Sequence, residues 1–72
     1  MNLWIARDKD GSLYLYNYEP RKNKISERFT CIIKPNGKWS EEYELNSYSF
    51  PEVTFENSPM EVELKLIRND NR

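Results

Sequence analysis

The sequence predicts a mainly β fold, a five-stranded antiparallel sheet in tight hairpins with one short helical turn before the last strand. Three observations carry this expectation. Asp10-Gly11 and Pro35-Asn36-Gly37 each separate two runs with β character, and a Gly in such a turn supplies the positive φ that a hairpin requires. Ser12 to Tyr18 and Glu61 to Leu66 alternate with the period of two that places successive side chains on opposite sides of a strand. Pro51 then denies a long helix to the segment that begins at Asn46-Ser47.

Leu3 and Ile5 oppose Trp4 and Ala6 along the first run, which ends at Asp8-Lys9-Asp10-Gly11 and pairs with the second. In the second run Leu13 and Leu15 take one face and Tyr14, Tyr16 and Tyr18 the other. Glu19-Pro20-Arg21-Lys22-Asn23-Lys24 is polar, basic and interrupted by Pro, and reads as a loop. The third run, Ile25 to Lys34, is expected to fold back through Asn36-Gly37 onto Lys38 to Leu45. There Trp39, Glu41, Tyr43 and Leu45 share one side, and Lys38, Ser40, Glu42 and Glu44 take the other, which is the solvent side. Asn46-Ser47 can cap a single helical turn through Phe50, and Val53 and Phe55 sit in an extended connection that reverses at Asn57-Ser58-Pro59. Val62, Leu64 and Leu66 point inward from the last strand.

At 72 residues the chain holds one small domain, over 1–68, with 69–72 as a disordered tail. Its expected core is Leu3, Ile5, Leu13, Leu15, Phe29, Ile33, Val62, Leu64 and Leu66. Five strands with a helical turn before the last follow the element order of small SH3-like, partly open barrels. The alternative is an open meander in which the last strand pairs with the first. The longest apolar run is Cys31-Ile32-Ile33, far from the roughly 18 apolar residues that span a bilayer. The N-terminus lacks the pattern of a signal peptide, so the expected compartment is the cytoplasm. Cys31, between apolar neighbours, reads as an inert core thiol.

The segments 3–16 and 50–59, with Glu61-Val62-Glu63-Leu64, resemble a family of short uncharacterised proteins from gut bacteria and their mobile elements. The resemblance leaves the middle of the chain unmatched. It implies a stand-alone bacterial domain and assigns no activity and no site residue.

Composition argues against catalysis. There is no His, which removes the commonest general base and metal ligand, and one Cys leaves no thiolate set for zinc. Glu41, Glu42 and Glu44 read as a solvated strand edge, and Asp8-Lys9-Asp10-Gly11 as a turn, since the later ligands of a calcium loop are missing. Neither a phosphate loop nor a nucleophile elbow is present. No enzyme activity, cofactor or small-molecule substrate is expected.

A binding role rests on Tyr14, Tyr16 and Tyr18, with Trp4 across the strand pair and Arg7, Arg21, Lys22, Lys24 and Arg28 as basic neighbours. Three readings stand. The rings can form a second core layer under Tyr48, Phe50 and Phe55; they can anchor a protein partner or a second copy; or they can stack the bases of single-stranded nucleic acid beside basic loops. Net charge is −1, with eight basic residues against four acidic in 1–40 and three against eight in 41–72. That balance favours protein contact over nucleic acid. The asymmetry cancels if basic and acidic strands pair side by side, and otherwise makes one face basic and another acidic.

Overall fold

The computed structural model describes residues 2–67. The chain forms six strands: β1 (Asn2–Arg7), β2 (Leu13–Tyr16), β3 (Arg21–Asn23), β4 (Arg28–Thr30), β5 (Glu42–Leu45) and β6 (Met60–Glu63). Four of them make an antiparallel sheet in the order β5-β2-β1-β6, and β3 and β4 make a separate antiparallel pair. The last strand pairs with the first, as in the open meander, and the sheet does not close into a barrel. Six strands replace the expected five. The helical turn expected near 46–50 is instead a hydrogen-bonded turn, in which the Ser49 N–H donates to the Asn46 carbonyl, and no helix occurs among the described residues. The tail expected over 69–72 lies outside those residues.

Both predicted Gly turns form, and by the same bonds. In the first, the Asp8 N–H donates to the Ser12 carbonyl at 2.8 Å, the Gly11 N–H to the Asp8 carbonyl at 3.0 Å, and the Ser12 N–H to Asp10 Oδ1 at 2.9 Å. Lys34, Gly37, Lys38 and Asn36 repeat the pattern in the second. Gly11 and Gly37 have φ of 99° and 83°, the left-handed region that side chains with a Cβ avoid. The second turn holds only an Ile33–Trp39 bridge, because β4 pairs with β3 rather than continuing toward β5. That β3 strand lies within the stretch read as a loop. Its turn is built by Asn23, whose Oδ1 accepts the Ile25 and Ser26 N–H groups, and by Glu27 at φ 58°.

Opposed residues in the ladder share a face. Trp4 pairs with Tyr16, Ala6 with Tyr14, Ile5 with Leu15 and Arg7 with Leu13, so the sheet has an aliphatic and an aromatic side, and both are covered. On the aliphatic side Ile5, Leu13 and Val53 form one buried cluster, extended by Leu45 and Val62. On the aromatic side Ala6, Tyr16 and Phe29 form a second, extended by Trp4, Tyr14, Cys31 and Phe55. The core therefore differs from the expected one: Ile33, Leu64 and Leu66 are exposed, and Ala6, Tyr16 and Val53 are buried in their place.

Candidate functional site

Each cover is fastened by one residue of the β1–β2 turn region. On the aliphatic side Arg7 spends all five guanidinium N–H donors on backbone carbonyls. Its Nε donates to Val53 at 2.6 Å, Nη1 to Gly11 at 2.7 Å and Ser47 at 2.9 Å, and Nη2 to Ser49 at 2.9 Å and Phe50 at 3.1 Å. The planar fork suits this convergence of carbonyls, and a Lys would not. On the aromatic side the carboxylate of Asp8, only 2 % exposed, accepts the Phe29 N–H at 2.7 Å and faces Arg28 Nε at 3.4 Å. That contact holds the Arg28 guanidinium above its ordinary pKa, first through the hydrogen bond and then through charge. The Lys9 N–H adds a bond to the Glu27 carbonyl, so the β3–β4 pair is held against the sheet at one end.

The four aromatic candidates do not make one open patch. Tyr16 is fully buried, with its hydroxyl 3.5 Å from the Phe29 carbonyl. Burial, then the nearby Glu42 carboxylate, raises its pKa above the ordinary value. Trp4 and Tyr14 are half-buried against the same cluster, and Tyr18 is exposed beyond the end of β2. Of the expected covering rings, Phe55 packs on Phe29 at 5.8 Å between centroids, while Tyr48 and Phe50 are exposed. Among the basic neighbours, Arg7 lies on the opposite side, Lys22 sits 4.5 Å above the Phe55 ring, and Arg28 pairs with Asp8.

Three open grooves matter. The largest, about 740 Å³, runs past Arg7, Asp10, Glu44 and Ser47, but its one cation has no donor left for a ligand. A second, about 500 Å³, is lined by Tyr14, Arg28, Phe29, Cys31, Trp39 and Glu42. A third, about 370 Å³, is lined by Arg21, Thr30, Cys31, Ile33 and Trp39. Trp39 is thus the wall between two grooves, 64 % exposed, with Ile33 at 58 % across its bridge. Period-two reading set Trp39 inward with Tyr43. The strand breaks before β5, and Ser40 turns inward instead, accepting the Ile32 N–H on Oγ while its own N–H donates to the Ile32 carbonyl. Only Glu41, a charge on the side otherwise held by Trp39, Tyr43 and Leu45, hinted at this.

Strand pairing does not cancel the charge asymmetry. Residues 21–38 carry six basic side chains and one acidic, and residues 41–63 carry seven acidic and none basic. The basic segment forms β3, β4 and the second Gly turn; the acidic one supplies β5, β6 and the connection between them. The basic and acidic strands do not pair with each other. Among the described residues no group of three or more His, Cys, Asp or Glu is placed to hold a metal ion, and no helix is long and apolar enough to cross a membrane. In comparisons with protein-family models, curated proteins and solved structures, nothing matches this chain.

Proposed function

We propose that the chain is a non-catalytic binding module of the cytoplasm that docks an acidic segment of a partner protein across the two grooves walled by Trp39. The exposure of that indole carries the reading: a large ring on a bridged turn, beside Ile33 and within a segment of net charge +5. Trp, Tyr and Arg are the residues that dominate protein interfaces, and a basic patch selects acidic partners and speeds their encounter. Here Tyr14 contributes to a groove floor, while Tyr16 belongs to the core.

Selection of displayed random peptides against the full chain tests this. Bound peptides should be rich in Asp and Glu around an apolar anchor, and Trp39→Ala or Arg21→Glu should weaken them about tenfold or more with the fold intact. Ligands that bind both variants as tightly as the parent would refute it. The basic segment also supports a second reading, in which Trp39 stacks a base of single-stranded nucleic acid. That reading requires an oligothymidylate to bind with a strong salt dependence that Trp39→Ala abolishes.

A further inference from the structure

β6 is an edge strand, and its outer row of backbone N–H and C=O groups faces no strand among the described residues. β1 accompanies it as far as the Asn2–Glu63 pair. Beyond that pair Leu64, Leu66 and Ile67 are 58, 92 and 86 % exposed. The Glu63 and Lys65 side chains approach to 3.7 Å, as next-but-one residues on one side of an extended segment do. Val62, Leu64 and Leu66 therefore form an apolar row on the other side, and Val62 already packs on the Ile5–Leu13–Val53 cluster.

We propose that residues 61–67 pair antiparallel with the same segment of a second copy, about a two-fold axis through Leu64, joining two four-stranded sheets edge to edge. In this register Glu63 faces Lys65 twice, Val62 faces Leu66 twice, and Leu64 faces itself; only the terminal pair, Glu61 with Ile67, mixes types. Opposite charges directly across a ladder attract and like charges repel. Neighbouring registers fail on that count. An axis at Glu63 or Lys65 sets a charge against itself, and one at Val62 sets Glu61 against Glu63 twice. A half-step places apolar residues opposite charged ones along the ladder. Self-pairing of the other edge, β5 about Tyr43, sets Glu42 against Glu44 twice. Charge and polarity thus select this edge and this register, and an isologous contact closes at two copies. The partner copy's Leu66 would extend the aliphatic cluster beyond Val62. Nothing in this proposal depends on the role of Trp39.

Sedimentation velocity of the full chain across a concentration series tests it, with circular dichroism and urea midpoints to verify the fold of each variant. The expected result is a monomer–dimer equilibrium. Glu63→Lys and Lys65→Glu should each weaken it about tenfold or more, and the double reversal should restore it to within about threefold. Leu64→Cys in a Cys31→Ser background should form a disulfide-linked dimer under mild oxidation, since directly opposed Cα atoms lie within bridging distance; Val62→Cys should not. A chain that is monomeric at every concentration, a dimer indifferent to the single reversals, equal cross-linking at 62 and 64, or growth beyond two copies overturns the proposal.

Discussion

Replacing Arg7 by Met keeps most of the aliphatic stem of the side chain and removes five donors at once. Three of the carbonyls it serves, on Val53, Gly11 and Ser49, are bonded in partly buried surroundings, and two, on Ser47 and Phe50, are bonded in the open. The exposed pair regains water at little cost. For each of the other three, a charge-assisted bond is lost and a carbonyl is left partly dry, which costs about 1 kcal/mol after allowing for partial rehydration, or ~3 kcal/mol in all. Arg7→Lys retains the charge but lacks the fork, and should cost about 2 kcal/mol. A domain of 72 residues has a total stability of about 4 to 11 kcal/mol, so either change is a large fraction of it. Urea unfolding followed by tryptophan fluorescence measures the loss, and with a slope of about 1 to 2 kcal/mol/M the Arg7→Met midpoint falls by more than about 1 M. Amide exchange at Val53, whose N–H donates to the Phe50 carbonyl, should accelerate as well. A loss below about 0.5 kcal/mol would refute the clamp, and would mean that the 47–53 segment is held by Val53 packing alone.

Two further outcomes follow from the opposite face. Asp8→Ala leaves the buried Phe29 N–H without its acceptor and should cost about 2 to 3 kcal/mol, with chemical-shift changes concentrated in β3 and β4; Asp8→Asn, which keeps one acceptor oxygen, should cost about half as much. Tyr16 has a folded-state pKa raised above the ordinary value of 10.0 by burial and by Glu42, so the fold holds a proton that the unfolded chain releases. Stability is therefore full below about pH 10 and falls as pH rises above it. Tyr16→Phe removes this part of the alkaline slope while costing under about 1 kcal/mol near neutrality, since the hydroxyl makes one long bond. An unchanged slope would show that other groups govern the alkaline limb.

Local chemistry was legible where one or two residues dictate a conformation. Gly11 and Gly37 fix their turns, and the alternation of Leu13 and Leu15 against the tyrosines fixes the faces of β2. β3 was not legible, because Arg-Lys-Asn offers no apolar alternation and its turn uses a non-Gly residue at positive φ. Tyr16 shows the limit of reading an aromatic face. The sequence marks that face as needing cover, but Phe29 and Phe55, distant in the chain, decide that the chain covers it itself. The role of Arg7 was invisible for a related reason, since its five partners are carbonyls and carbonyls leave no trace in side-chain identity. The exposure of Trp39 was not legible because the strand breaks before β5 begins at Glu42, and a two-residue period does not run across that break. Leu64 and Leu66 do continue the alternation of β6, but past the last ladder pair they find no neighbour to be buried against.

Arg7 and Asp8 are consecutive, and their side chains leave β1 on opposite sides, one to the 47–53 segment and the other to the β3–β4 pair. The molecule is bound like a book whose two boards are stitched to a single spine at adjacent points. The two stitches share no bond, but the boards touch where Phe55, two residues past Val53, packs on Phe29. The free energy needed to expose the tyrosine side and that needed to expose the leucine side are separately adjustable by one residue each. A partner that bound beneath the tyrosine side would have to part Phe55 from Phe29, and would so pull on the chain that carries Val53 on the leucine side.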